Sequence, residues 1–309
     1  MPGRGRATGP PAQPERRAHR RAVVGPLREP RRAGRLVADH PRRPALASAP
    51  MGSRDLSRIF GPDGRTVIIA LDHGLIDGPC PGFERPAETI SAVVAGGPDA
   101  VLTSYGVAEN FAAELDPVGL ILRSDGAVSN LGSPSTGSVG RFFGVEDALR
   151  VEADALAVTA LPGSASEADT LRNLAHTIGE AHRSDMPVMA EMVPGGFDSP
   201  PEMRGPDAVA FAARLGADLR AHFIKAPYCD DYARVTSSTF VPVVILGGSK
   251  GSEADTLANI RAALDAGAAG VAMGRNVFQS DNPTAMTRAV VAVVHADATV
   301  EEALSILEG

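Results

Sequence analysis

The 309 residues are 44 % hydrophobic and 22 % charged, and the net charge of −7 is divided unevenly: residues 1–50 hold twelve arginines against Glu15, Glu29 and Asp39, a balance of +9 that leaves −16 for the remainder. An acidic body with no tryptophan and no basic cluster interleaved with aromatics excludes a nucleic-acid footprint, and no apolar run nears the roughly 20 residues of a membrane span, so neither nucleic acid nor membrane is expected as a partner. Cys80 and Cys229, far apart in sequence, offer no disulfide framework and no CxxC metal site, which fits a reducing cytoplasm.

In chain order, segment 1–50 carries nine prolines and no periodic apolar pattern, and is expected to be a disordered Arg/Pro-rich extension. Its single serine, Ser48, argues against a transit peptide. Met51 is expected to be the natural start, with 51–309 as the folded domain. From Thr66 onward, short apolar runs alternate with longer amphipathic stretches, the pattern of repeated βα units. The runs are Val67 to Leu71, Ala100 to Thr103, Val118 to Leu122, Ala155 to Ala160, Val188 to Met192, Ala221 to Lys225, Val241 to Leu246 and Gly270 to Met273. Helices are predicted at Glu84 to Ala95, Ser166 to Ser184, Pro206 to Leu215, Glu253 to Ala266 and Pro283 to His295, with Ser252 to Asp255 as a cap and Gly267 as a stop. Eight such units in about 250 residues is the size of a single TIM (β/α)8 barrel. A doubly wound open sheet would show a GxGxxG turn after its first strand, where this chain has Leu71-Asp72-His73-Gly74.

A barrel puts its chemistry at the carboxyl ends of the strands, and polar residues gather there: Asp72 and His73 after the first, Ser104 and Tyr105 after the second, Arg123 with Asp125 after the third, and Glu191 on the fifth. Lys225 ends the sixth, Gly247-Gly248-Ser249-Lys250 follows the seventh, and Gly274-Arg275-Asn276 follows the eighth. Lys225 and Lys250 are the chain's only lysines; every other basic side chain is arginine. Lysines that survive such a bias are candidates for amine chemistry, which a guanidinium cannot perform. Alternation pairs Lys225 with Phe223 on one side of its strand. An inward-facing lysine at a dry rim is a Schiff-base candidate, with Lys250 expected as its electrostatic neighbour. Asp72, aligned with Ile68 and Ala70, and Glu191, aligned with Met189, are the candidate acid and base; Glu191 has the alternative of pairing with Arg123. The glycines after strands seven and eight, together with Ser249, Arg275 and His73, are the candidate phosphate site. Five scattered histidines after Met51 give no HxH or HExxH spacing, so no metal is expected.

These residues resemble the class I aldolases of the deoxyribose-phosphate aldolase and archaeal-type fructose-bisphosphate aldolase superfamily. The marks are Arg58-Ile59-Phe60, Leu71-Asp72-His73-Gly74, Phe223-Ile224-Lys225, Gly247-Gly248-Ser249-Lys250 and Met273-Gly274-Arg275-Asn276-Val277-Phe278-Gln279. The opening and closing segments look most like the autoinducer-2 phosphate thiolase branch. The resemblance implies an oligomeric TIM barrel, possible as a decamer, with Lys225 as the Schiff-base lysine, Asp72 as an active-site carboxylate, and phosphate near Gly248, Gly274 and Arg275. It departs from the archaeal-type pattern where a general-acid tyrosine precedes Pro194; here stands Val193. Glu191 instead resembles the strand-five glutamate of tagatose-bisphosphate aldolases. The expected function is a metal-independent class I aldolase, without cofactor, acting on a phosphorylated ketose or ketone such as fructose 1,6-bisphosphate or dihydroxyacetone phosphate. The alternative is a thiolase that transfers an acetyl group from a phosphorylated diketone to coenzyme A as co-substrate. A non-catalytic phosphosugar-binding barrel ranks third.

Overall fold

Each of the eight apolar runs is a parallel strand in the computed structural model, which describes residues 56–126, 129–131 and 139–309. The strands are β1 (Thr66–Leu71), β2 (Ala100–Thr103), β3 (Gly119–Arg123), β4 (Asp125–Gly126), β5 (Gly140–Arg141), β6 (Ala155–Ala160), β7 (Val188–Met192), β8 (Phe223–Pro227), β9 (Val243–Leu246) and β10 (Gly270–Met273). Eight of them close a barrel in the order β1-β10-β9-β8-β7-β6-β3-β2, while β4 and β5 form a separate antiparallel pair. That pair is absent from the sequence reading because two residues per strand are too few to show an alternation. The expected extension 1–50 and the expected start Met51 lie outside the described residues.

Two strands, β8 and β9, begin two residues later than their apolar runs, for backbone reasons. Ala221 is still engaged with the preceding helix, its N–H donating to the Gly216 carbonyl at 3.2 Å. Pro242 has no N–H to give a ladder and contributes only its carbonyl, to Ile224 at 2.9 Å.

Alternation sorts the strand residues into two cores. Ile68, Ala70, Leu102, Ile121, Met189, Phe223 and Val244 point into the barrel, with Ile59 sealing one end and Phe60 set edge-on to Phe223 at 5.2 Å. Their neighbours, such as Val67, Ile69, Val101 and Ile224, face the helices. Each fully buried Ile or Phe contributes about 1.5–3 kcal/mol, and the interior holds no charge until the strands reach their carboxyl ends. The helix Pro283–His295 shows how the outer ring is specified: proline stands in its first turn, the Asn282 side chain accepts from the Ala285 N–H at 3.0 Å, and Met286, Ala289, Val290, Val293 and Val294 bury one stripe. The predicted Ser252 cap is also present, accepting from the Asp255 N–H at 3.0 Å. No helix among the described residues is long and apolar enough to cross a membrane.

The last residue of that helix ties the end of the barrel opposite the polar rim. His295 bonds Asp63 through Nδ1 at 2.8 Å and Asp99 through Nε2 at 2.9 Å, and Asp99 also accepts from the Val67 N–H at 2.7 Å. The hydrogen bond to Asp99, reinforced by Asp63 against partial burial, pushes the imidazole up to about 9 from 6.5. A pKa raised in the folded state stabilises fully below the unfolded value and ceases to do so as pH rises through the folded one. The urea midpoint of the wild type should therefore exceed that of His295→Gln at about pH 6, with the gap narrowing by about pH 10; an undiminished gap contradicts this account.

Candidate active site

The alternation that sends Phe223 inward carries Lys225 to the inner rim, and the same step puts Glu191 beyond Met189 and Asp72 beyond Ala70. It also brings in Arg123, beyond Ile121, and Thr159, beyond Ala157. These five side chains form one connected layer. Lys225 Nζ lies 2.8 Å from Glu191 Oε1. Arg123 donates through Nη2 to Glu191 Oε2 at 2.6 Å, through Nε to Asp72 Oδ2 at 2.7 Å, and through Nη1 to Thr159 Oγ1 at 3.0 Å. Asp125, on β4, closes the layer from the side: its Oδ2 accepts from the Thr159 N–H at 2.5 Å and its Oδ1 lies 3.5 Å from Arg123. Lys225, Glu191, Arg123 and Asp125 are all buried.

Burial and charge act against each other here. Burial alone would raise Asp72, but Arg123, with Lys225 and His73 adding to it, holds the carboxyl down to about 2. Glu191 is likewise held below its ordinary value, because Lys225 and Arg123 outweigh its burial. Asp125 is the exception: burial pushes it up to about 6 despite Arg123 and the Thr159 N–H. Asp72 and Glu191 are thus both held in the ionised form, and it is Glu191 that contacts the amine of Lys225.

The residues after β9 and β10 meet one another. Asn276 Nδ2 donates to the carbonyls of Gly247 at 2.7 Å and Ser249 at 3.3 Å, and Arg275 Nη2 to that of Gly248 at 3.2 Å. A trans peptide sets its N–H opposite its carbonyl, so the N–H groups of Gly248, Ser249 and Lys250 face away from those side chains; Gly248, at φ +66°, supplies the left-handed turn. The Arg275 Nε is buried with no acceptor among the described residues. His73 sits alongside, its ring edge-on to Phe278 at 5.1 Å and its Nδ1 3.7 Å from Asp72 Oδ1. Burial, with Lys225 and Arg275 adding to it, outweighs Asp72 and lowers the pKa of the ring.

The family model for DeoC/LacD family aldolases matches residues 66–280 of this chain, a span that includes every strand and both glycine turns. The chain belongs to that aldolase family. Among its relatives, a 2-amino-3,7-dideoxy-D-threo-hept-6-ulosonate synthase of Halobacterium salinarum is 39 % identical over 248 residues, 79 % of this chain and 91 % of the relative. A 3-hydroxy-5-phosphonooxypentane-2,4-dione thiolase of Escherichia coli K12 is 36 % identical over 251 residues, 80 % and 84 % of the two chains. In structure, a Schiff-base-forming fructose-1,6-bisphosphate aldolase superposes with a TM-score of 0.71 at 31 % identity, covering 78 % of this chain and 98 % of its own.

Against the sequence reading, this aldolase-family barrel brings Lys225, Asp72, Glu191 and His73 together at one rim and groups Gly247, Gly248, Ser249, Gly274 and Arg275 beside it. Lys250 does not join the layer: its loop is pinned by Asn276, its side chain is exposed, and its ammonium donates to the Gln279 carbonyl. The groups whose charges bear on Asp72 are Arg123, Lys225 and His73. The pairing of Glu191 with Arg123, the alternative offered by the sequence, is present beside the Lys225 contact; Thr159 has no counterpart there, and its inward phase on β6 beyond Ala157 is the signal that marks it. Val193 is buried with Val139 and Leu161, with Leu246 packed against them, so the tyrosine position is occupied by an apolar contact.

Gly274 is required sterically. A Cβ there would lie 2.4 Å from His73 Cε1 and 2.5 Å from the Ala70 carbonyl oxygen. Gly274→Ala should destabilise by about 1–3 kcal/mol, the usual range for overpacking, measured by chemical denaturation; wild-type stability in the variant would show that the ring and strand do not press on this position.

Proposed function

We propose that the chain is a metal-independent class I aldolase-type enzyme in which Lys225 forms a Schiff base with the ketone of a phosphorylated substrate. The observation that carries this reading is the 2.8 Å contact between Lys225 and a buried, ionised Glu191. The Lys225 ammonium passes a proton to Glu191 Oε1, and the freed amine attacks the ketone carbon to form the C–N bond of a carbinolamine. Glu191 then returns the proton to the departing hydroxyl, releasing water and leaving the iminium, so that ketone and ammonium become iminium and water with charge conserved. Asp72, ionised and on the His73 side of the layer, takes the proton of the substrate hydroxyl as the carbon–carbon bond breaks and its electron pair moves to the iminium nitrogen. It then returns that proton to the enamine carbon, and hydrolysis frees Lys225.

The phosphate in this reading rests on the N–H groups of the glycine turn and on Arg275, whose buried Nε has no acceptor among the described residues. Lys250 bounds the same turn and, exposed and bonded to the Gln279 carbonyl, takes no part in the covalent step. The superposition on a Schiff-base-forming aldolase supports the lysine chemistry. A second reading, acyl transfer to coenzyme A, is favoured by the thiolase relatives and by the apolar cluster at Val193, which holds no hydroxyl acid.

Borohydride reduction in the presence of phosphorylated ketones, read by peptide mass spectrometry, should add the ketone to the peptide containing Lys225 and add nothing in Lys225→Met. Labelling at Lys250, or none with any such ketone, overturns the proposal. Glu191→Gln should keep KM and lose about 10²–10⁴-fold in kcat, the span of general acid–base catalysis. A turnover that requires coenzyme A selects the second reading.

A further inference from the structure

Among the described residues, Arg123 is the one side chain that bonds both carboxylates. Its hold on each is one-sided: Nε takes Asp72 by Oδ2 at 2.7 Å, and Nη2 takes Glu191 by Oε2 at 2.6 Å. The other oxygen of each carboxylate is turned to a different partner, Glu191 Oε1 to Lys225 at 2.8 Å and Asp72 Oδ1 to His73 at 3.7 Å. The guanidinium is itself fixed from behind by Thr159 at 3.0 Å and Asp125 at 3.5 Å, and is buried. A planar fork with donors on several edges can grip two carboxylates at once; an ammonium, a point charge, holds no such geometry.

From this arrangement we infer that Arg123 is a positioning residue that assigns the two carboxylates separate tasks, presenting Glu191 Oε1 to the amine of Lys225 and Asp72 Oδ1 to the substrate hydroxyl. The inference rests on the Schiff-base reading above. It also accounts for the missing tyrosine: with Val193 apolar, proton transfer falls to the charged layer itself, where both carboxylates have to be ionised at rest and each must keep one oxygen clear of Arg123. The positive charge of Arg123 contributes to the first condition, since it lowers the pKa of Asp72 and of Glu191, and its fork geometry meets the second. Arg123 touches no reacting atom in this scheme, so its effect appears in kcat and in the pH profile and not in substrate affinity.

The test compares Arg123→Lys and Arg123→Ala with wild type, using the phosphorylated ketone that labels Lys225 in the wild type. Arg123→Ala should lose about 10²-fold in kcat, the scale of a lost electrostatic contact in an active site, with KM nearly unchanged. The acid limb of its kcat/KM profile should move to higher pH by about 1–3 units, the range by which a neighbouring arginine depresses a carboxylic acid. Added guanidinium should restore part of the rate. Arg123→Lys, which keeps the charge without the fork, should hold the acid limb near its wild-type position while still losing kcat. A loss confined to KM, an unmoved acid limb in Arg123→Ala, or a wild-type kcat in Arg123→Lys overturns the inference. If Arg123→Ala does not fold, the kcat of Arg123→Lys decides alone. Absence of a Lys225 adduct in the wild type refutes the Schiff-base reading instead, so the two failures are distinct.

Discussion

A guanidinium can be buried at the mouth of an apolar barrel only in contact with carboxylates, and the Arg123 contacts to Asp72 and Glu191, at 2.7 and 2.6 Å, provide them. The rest of the site depends on this pairing. Glu191 shares its second oxygen with Lys225, so the amine, the two carboxylates and the guanidinium form one chain of alternating charge. Removing one partner of a buried pair costs about 3–5 kcal/mol because it leaves an uncompensated charge. The layer is therefore tightly coupled, and its members hold each other in the geometry the proposed chemistry uses.

The barrel makes that layer possible by separating packing from chemistry along each strand. Below the rim the inward residues are aliphatic or aromatic, from Ile68 and Ala70 to Phe223, and they fill the interior with Ile59 and Phe60 at the base. One step along the same face, the side chains become Asp72, Arg123, Thr159, Glu191 and Lys225. One further step returns to apolar contact at Leu161 and Val193, with Leu246 packed on them. The charged layer thus lies between two apolar ones, where electrostatic interactions are stronger than in water. The short pair β4 and β5 adds Asp125 from outside the barrel and holds Thr159 against Arg123.

Much of this was legible in one dimension. Strand alternation has a fixed period of two, so knowing that Phe223 packs inward is enough to place Lys225 at the rim, and the same holds for Met189 with Glu191 and Ala70 with Asp72. The eight strands, the capped helix after Ser252 and the glycine turns follow from local rules of hydrogen bonding and backbone freedom. Arg123 shows where such rules stop. Its inward phase was readable from Ile121 and a pairing with Glu191 could be offered as an alternative, yet that Arg123 holds Asp72, Asp125 and Glu191 together, 51, 2 and 68 residues away, is settled only when β1, β3 and β7 are brought round one mouth.

Lys250 marks the same boundary from the other side. Scarcity alone treats it as the equal of Lys225, strand phase makes it the expected electrostatic neighbour of that residue, and its position after β9 puts it at the carboxyl end of the barrel. The side-chain amide of Asn276, 29 residues from Gly247, pins that loop and leaves the ammonium at the Gln279 carbonyl. By itself the sequence determined the family, the barrel and the inward phase of Lys225, because each depends on local period or on motif. Only the tertiary structure decided which lysine meets a carboxylate and which arginine joins two of them, because those contacts connect residues on different strands.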